Sequence, residues 1–232
     1  MFDEIRESQA DIEEHHQLGY GSSVLIIAPG SELQVLAELI TASGGNQPTI
    51  LHGIVSHREV LATIRRQHFD IMHFAGHGDS MELELSDGPL AVEMLASAIG
   101  ENRTELIILN ACRSLPAAVT LHARGISYVI GWRDDVHDVA AENFAVSFFN
   151  TLRLNGDVHQ SFDTASQIMQ RSYEDEEPPM LLNGQFSKMQ GKIDSLQNQL
   201  LHTSDSDVLY WRIGTVIAGL IGLTGVVLAL MH

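Results

Sequence analysis

Residues 106–109 read Leu-Ile-Ile-Leu and run directly into Asn110, Ala111 and Cys112. Four consecutive apolar residues present no polar face. A run of this length fits a strand buried on both sides, as in the middle of a parallel sheet. Asn110 and Cys112 then stand at its carboxyl end. Beyond them Ser114 or Leu115 can cap a helix, and Pro116 suits its first turn, where a missing N–H costs nothing. In an open α/β sheet, the crevice outside the carboxyl ends of the strands is where ligands and chemistry are found. Cys112, the only cysteine of the chain, therefore falls in that crevice beside a helix N-terminus, whose positive end favours a thiolate.

The rest of the chain supplies the alternation that such a strand needs. Ser22–Ala28 reads as a strand broken by Pro29-Gly30, and Ser31 caps a helix with Leu33, Leu36, Ala37 and Ile40 on one face. Gly44-Gly45 ends that helix. Thr49–Val55 is a second strand, and Ser56 caps a second helix that leads into the strand Phe69–Ala75. This β-α-β-α-β order implies a largely parallel sheet with helices on both faces. Asp79–Pro89 alternates apolar and acidic residues before an Asp-Gly turn, a hairpin or flap, and Leu90–Ile99 reads as a helix. Ile126–Gly131 is the next strand. Asp138 caps the helix after it, whose apolar side chains Val139, Phe144, Val146, Phe148 and Leu152 suit one face of the sheet. A further helix spans Val158–Arg171, and the acidic, proline-containing Tyr173–Pro179 ends the domain as a linker.

A nucleophilic thiol needs a base, and Phe69–Gly78, FDIMHFAGHG, places His77 at the end of its own strand. If the two strands are neighbours, as sequential strands usually are, the imidazole and the sulfur share one crevice. Gly76 and Gly78 allow positive φ and close approach of the backbone. The N–H groups of Gly78 and Cys112 could then form an oxyanion hole. Two plainer readings compete: a lone cysteine is often a small core hydrophobe, and His73 with His77 has a metal-ligand spacing of four. The latter wants a helix, whereas this segment reads as a strand. Glu82 and Glu84 could face a basic substrate or simply lie in water.

HFAGHG followed about 35 residues later by LNAC resembles the CHAT domain, a caspase-like cysteine peptidase family. The stretch GISYVIGWRDDVHDVAAENFAVSFFNTL resembles the continuation of that family after its cysteine helix, so the likeness covers Val24 to Arg171. The resemblance implies a caspase-like three-layer sandwich in which His77 is the base and Cys112 the nucleophile. It also implies a protein or peptide substrate, no metal or organic cofactor, and regulated proteolysis of the kind found in bacterial signalling and defence. In this fold the loop after the Ile126–Gly131 strand helps build the pocket for the residue before the scissile bond. Asp134 or Asp135 would receive a basic side chain there and Arg133 an acidic one, and the residues alone do not choose.

Thirteen Lys and Arg against 30 Asp and Glu give a formal charge of -17. Such a surface argues against nucleic acid, whose phosphates need clustered cations, and attracts basic protein or peptide partners. A single cysteine rules out an internal disulfide and fits a reducing compartment. Residues 1–20 form an acidic arm without the apolar segment of a secretory signal. The peptidase-like domain occupies 21–172 and the linker 173–181. Over 182–209, Leu182, Phe186, Met189, Ile193, Leu196 and Leu200 recur at spacings of four and three, the seam of a coiled coil or amphipathic helix, and favour a homo-oligomer. Residues 213–231 carry no charge, long enough for a transmembrane helix. Trp211 and Arg212 flank it, so 210–232 reads as a single-pass tail anchor via residues 211–231 with the catalytic domain facing the cytoplasm. Two other functions fit the same residues: a catalytically silent membrane scaffold that recruits partners, and an effector whose transmembrane helix disturbs the bilayer.

Overall fold

The computed structural model describes Leu18 and residues 21–29, 47–100 and 104–184. The arm of 1–20 apart from Leu18, the helix expected from Ser31, the seam beyond Gly184 and the segment 210–232 lie outside the described residues. Among the described residues nine strands and five helices follow in chain order: β1 Val24–Ala28, β2 Thr49–His52, α1 His57–Arg66, β3 Ile71–Ala75, β4 Gly78–Asp79, β5 Glu82–Leu85 and β6 Gly88–Ala91, then α2 Val92–Ile99, β7 Leu106–Asn110, α3 Leu115–Ala123, β8 Tyr128–Gly131, α4 Asp138–Asn155, α5 Val158–Ser172 and β9 Met180–Leu182.

Six strands form one sheet in the order β2-β1-β3-β7-β8-β9, and β4, β5 and β6 form a separate antiparallel sheet. All pairs of the large sheet are parallel except β8 with β9. The fold is thus mixed α/β with a mostly parallel central sheet. The Leu-Ile-Ile-Leu run lies in β7, flanked by β3 and β8, with all of Leu106–Asn110 buried. Its even-numbered members Leu106 and Ile108 join Ile26, Ile71 and Ile130 beneath Phe144, Phe148 and Leu152 of α4 and Ala165 and Met169 of α5. Alternation sends Leu25, Ile27, Met72, Phe74, Ile107 and Leu109, all buried, to the opposite face. The crossovers from β2 to β3, β3 to β7 and β7 to β8 contain α1, α2 and α3. Phe144 and Phe148 are fully buried, each stabilising the fold by about 2–3 kcal/mol.

Local expectations hold unevenly. Ser56 caps α1, its hydroxyl accepting from the Glu59 N–H at 3.3 Å. β2 ends at His52, short of the expected Val55, because the chain turns through Gly53 at φ +75°. The flap exists, but Leu90 and Ala91 extend it as β6, paired with Leu83 and Glu82 of β5, so α2 begins only at Val92. His137, not Asp138, is the N-cap of α4, and Asp138 is its first helical residue. The sheet does not end at the acidic linker. After it, Met180–Leu182 returns antiparallel to β8, pairing Leu182 with Val129 and Met180 with Gly131. Leu182 is therefore a fully buried strand residue and not the first position of the amphipathic seam. Among the described residues no helix is long and apolar enough to cross a membrane.

Candidate active site at the carboxyl ends of β3 and β7

β3 and β7 are adjacent and parallel, with Ala75 opposite Asn110. His77 and Cys112 each lie two residues past that pair, so both chains leave the sheet at the same edge, in step. The Gly76 N–H donates to the Asn110 carbonyl at 3.1 Å, carrying the pairing one residue beyond the strands. The two exits then touch. A Cβ on Gly78 would lie 3.1 Å from the Ala111 Cβ and 2.8 Å from the Glu82 carbonyl oxygen. Close approach, not positive φ, is what the His-Gly turn requires of its glycines, since neither Gly76 nor Gly78 has a positive φ. Gly78→Ala is expected to cost about 1–3 kcal/mol of stability by this overpacking, read as a lower urea midpoint at unchanged m-value.

The orientation of the Gly78 amide follows from the ladder. The Glu84 N–H donates to the His77 carbonyl, and the Val92 N–H to the Met81 carbonyl. Hydrogen-bonded pairs alternate along antiparallel strands, so Leu83 bonds β6 and turns no amide toward Gly78. The Gly78 N–H points away from the flap. At the cysteine turn, the Arg113 N–H donates to the Asp134 carbonyl at 3.1 Å and the Leu115 N–H to the Trp132 carbonyl at 2.8 Å. The Cys112 N–H has no partner among the described residues.

Cys112 is half-buried and unpaired. Its Sγ donates to the Val136 carbonyl at 3.8 Å, and no hydrogen bond joins it to His77, which is exposed. Arg113, next in sequence, is the one non-glycine described residue with positive φ, +51°. That left-handed residue reverses the chain directly after the thiol, a strained conformation of the kind that clusters at functional turns. The hydroxyl of Ser114, instead of capping α3, is buried and donates to the Leu109 carbonyl at 3.0 Å while accepting the Trp132 N–H at 3.1 Å.

The candidate pocket residues on the β8 exit separate. Arg133 turns toward the acidic segment, 3.5 Å from Glu177 and 3.5 Å from the Met180 sulfur. Asp135 pairs with Arg113 at 2.7 Å, which raises the Arg113 pKa, and the Asp79 and Cys112 side chains add to it. The Asp79 carboxyl is held below its ordinary range first by hydrogen bonds from Ser80 and further by Arg113. Arg113 is thus tied to the β8 exit through Asp135, and the Asp134 side chain is exposed. Glu82 and Glu84 are exposed on the flap. His73 is fully buried in β3, its ring edge-on to Phe149 at 5.7 Å. Neither ring nitrogen has a hydrogen-bond partner among the described residues, and burial pushes its pKa down to about 3. It is a core residue. His77 is at the surface, so the two do not act as a ligand pair.

The model of one family, the CHAT domain, matches residues 17–220. The chain belongs to the CHAT domain family. No curated protein matches it. Among solved structures it is similar to the complex of Porphyromonas gingivalis RgpB pro- and mature domains, at 11% identity and a TM-score of 0.48, with 70% of this chain and 45% of that one covered. It is also similar to the Arg-specific cysteine proteinase gingipain R (RgpB), at 13% identity and a TM-score of 0.48, over 73% and 48%. The chain spans about half the length of those structures. Three residues to which the motif reading gave no role adjoin the candidate site of this CHAT domain: Asn110, Trp132 and Val136. The available signal was a polar Asn closing a buried apolar run, and a Trp opening the loop after β8. The Val136 carbonyl left no signal, because any residue supplies one.

Proposed function

We propose that this CHAT domain is a cysteine endopeptidase that cleaves protein substrates with Cys112 and His77. The observation that carries the reading is the register of β3 on β7, which sends both residues out at one edge with Gly78 against Ala111. In the proposed reaction His77 takes the thiol proton and the sulfur attacks the scissile carbonyl, forming a C–S bond. Negative charge gathers on the carbonyl oxygen, where the Gly78 and Cys112 N–H groups stabilise it. The intermediate collapses with cleavage of the C–N bond, and the imidazolium gives its proton to the leaving amine. Water, deprotonated by His77, attacks the thioester, the C–S bond breaks, and the proton returns to sulfur. The Val136 carbonyl that accepts the thiol hydrogen must give way to substrate, so the described arrangement is a resting one. Apo sites commonly tighten only on binding.

Anchoring through 211–231 and self-association through the seam belong to the same proposal. Deleting 210–232 is expected to move the protein from the membrane pellet to the supernatant. The activity is tested with a panel of internally quenched peptides on the full chain in membranes, with and without forced clustering. Cleavage is expected, and its absence under every condition would leave the silent-scaffold function in its place.

A further inference from the structure

One buried amide ties both ends of the loop that overlies the nucleophile. Asn110, 7% exposed, is the last residue of β7, two positions before Cys112. Its Nδ2 donates to the Ala141 carbonyl in the first turns of α4 at 2.9 Å, and its Oδ1 accepts the Trp132 indole N–H at 3.0 Å. Trp132 opens the loop after β8, and α4 begins where that loop ends. Between these pins the Val136 carbonyl receives the thiol hydrogen, the Asp134 carbonyl receives the Arg113 N–H, and Asp135 holds the Arg113 guanidinium. Trp132 is itself 2% exposed and edge-on to Phe144 at 5.8 Å, so the indole cannot swing without opening the core. Ser114 holds the same Trp132 backbone from the cysteine turn.

We propose that Asn110 is a positioning residue: acting through Trp132 and α4, it sets how closely the Val136–Asp135 loop lies over the Cys112 thiol. The geometry favours this over a purely structural role because a strand-end Asn could bond either neighbour alone. Here it bonds the two ends of one loop, with the nucleophile between them. The peptidase reading is needed for the substrate readout but not for the thiol readout.

The test compares the full chain with Trp132→Phe and Asn110→Asp. Phe removes the indole donor and leaves a smaller ring in the buried site; Asp removes the amide donor while keeping an acceptor for Trp132. If Asn110→Asp fails to fold, Trp132→Phe alone still cuts the link. Two rates are measured at Cys112: alkylation by iodoacetamide, and labelling by the peptidyl electrophile that the parent prefers. Freeing the thiol from the Val136 carbonyl is expected to raise the first roughly 3- to 10-fold. Misplacing the loop is expected to lower the second by about 10- to 100-fold. The double variant should change either rate little beyond the larger single effect, since both substitutions break one connection. Unchanged rates in folded variants, or both rates moving together with the melting temperature, would overturn the proposal. A parent that no peptidyl electrophile labels would count against the peptidase reading, while the iodoacetamide comparison would still decide the role of Asn110.

Discussion

Alanine in place of Cys112 is expected to lower kcat/KM on any cleaved peptide by at least about 10³-fold, and His77→Ala by a comparable factor. The nucleophile and its base act as a unit, so the double variant should be no worse than the poorer single one. Stability should barely move. Cys112 is half-buried on a turn, and replacing its thiol removes one long bond to a backbone carbonyl; His77 is exposed. A surface change of this kind stays within about 0.5 kcal/mol. Loss of turnover with the urea midpoint unmoved separates chemistry from folding. Retained turnover in Cys112→Ala would remove the nucleophile from the account.

Acid should unfold the domain through His73. Its pKa is near 3 in the fold against 6.5 for a free imidazole, and burial is the cause. The folded value is the lower one, so folding favours the neutral ring. Stability from this source is complete above about pH 6.5 and is lost as pH falls from 6.5 toward 3. At pH 5 the loss is roughly 2 kcal/mol, from 1.36 kcal/mol per unit over one and a half units. That is a substantial share of the stability of a domain this size. Asp70 loses stability on acidification too. Burial raises its pKa, but hydrogen bonds from Ser23 and His68 together outweigh burial and hold it low. The comparison must therefore be made within one background. His73→Leu is expected to lose about 2 kcal/mol less than the parent between pH 7.5 and pH 5, measured by urea unfolding at both. Leucine should also be the more stable residue at pH 7.5, because it removes two buried nitrogens that have no partner among the described residues. Equal losses in the two proteins would show that His73 charges in place.

The parts of the fold readable in the chain are those where side-chain pattern and backbone demand coincide. Leu106–Leu109 has no polar face, and it became a central strand. Ser56 precedes an amphipathic helix and caps it. The shared exit of the two candidate residues was readable for the same reason: His77 and Cys112 follow two apolar strands at equal distance, and those strands pair. The misses come from competition between partners. Ser114 has the chemistry of a cap, but a buried hydroxyl between two strands found the Leu109 carbonyl and the Trp132 amide instead. Leu90 and Ala91 suit a helix as well as a strand, and pairing with β5 decided. Met180–Leu182 is three residues long, too short for any period to show, and only the open edge of β8 makes it a strand. The Asn110–Trp132 bond joins residues 22 apart, a contact that no local pattern announces.

The central claim is that Cys112 and His77 form one catalytic pair. Mass-spectrometric mapping of the full chain in membranes, after exposure to peptidyl electrophiles with basic, acidic and apolar leading residues, tests it most directly. The account predicts a single adduct on Cys112, preferring one residue class and lost in His77→Ala. An adduct that forms equally well without His77, or that shows no preference among the peptides, would contradict it.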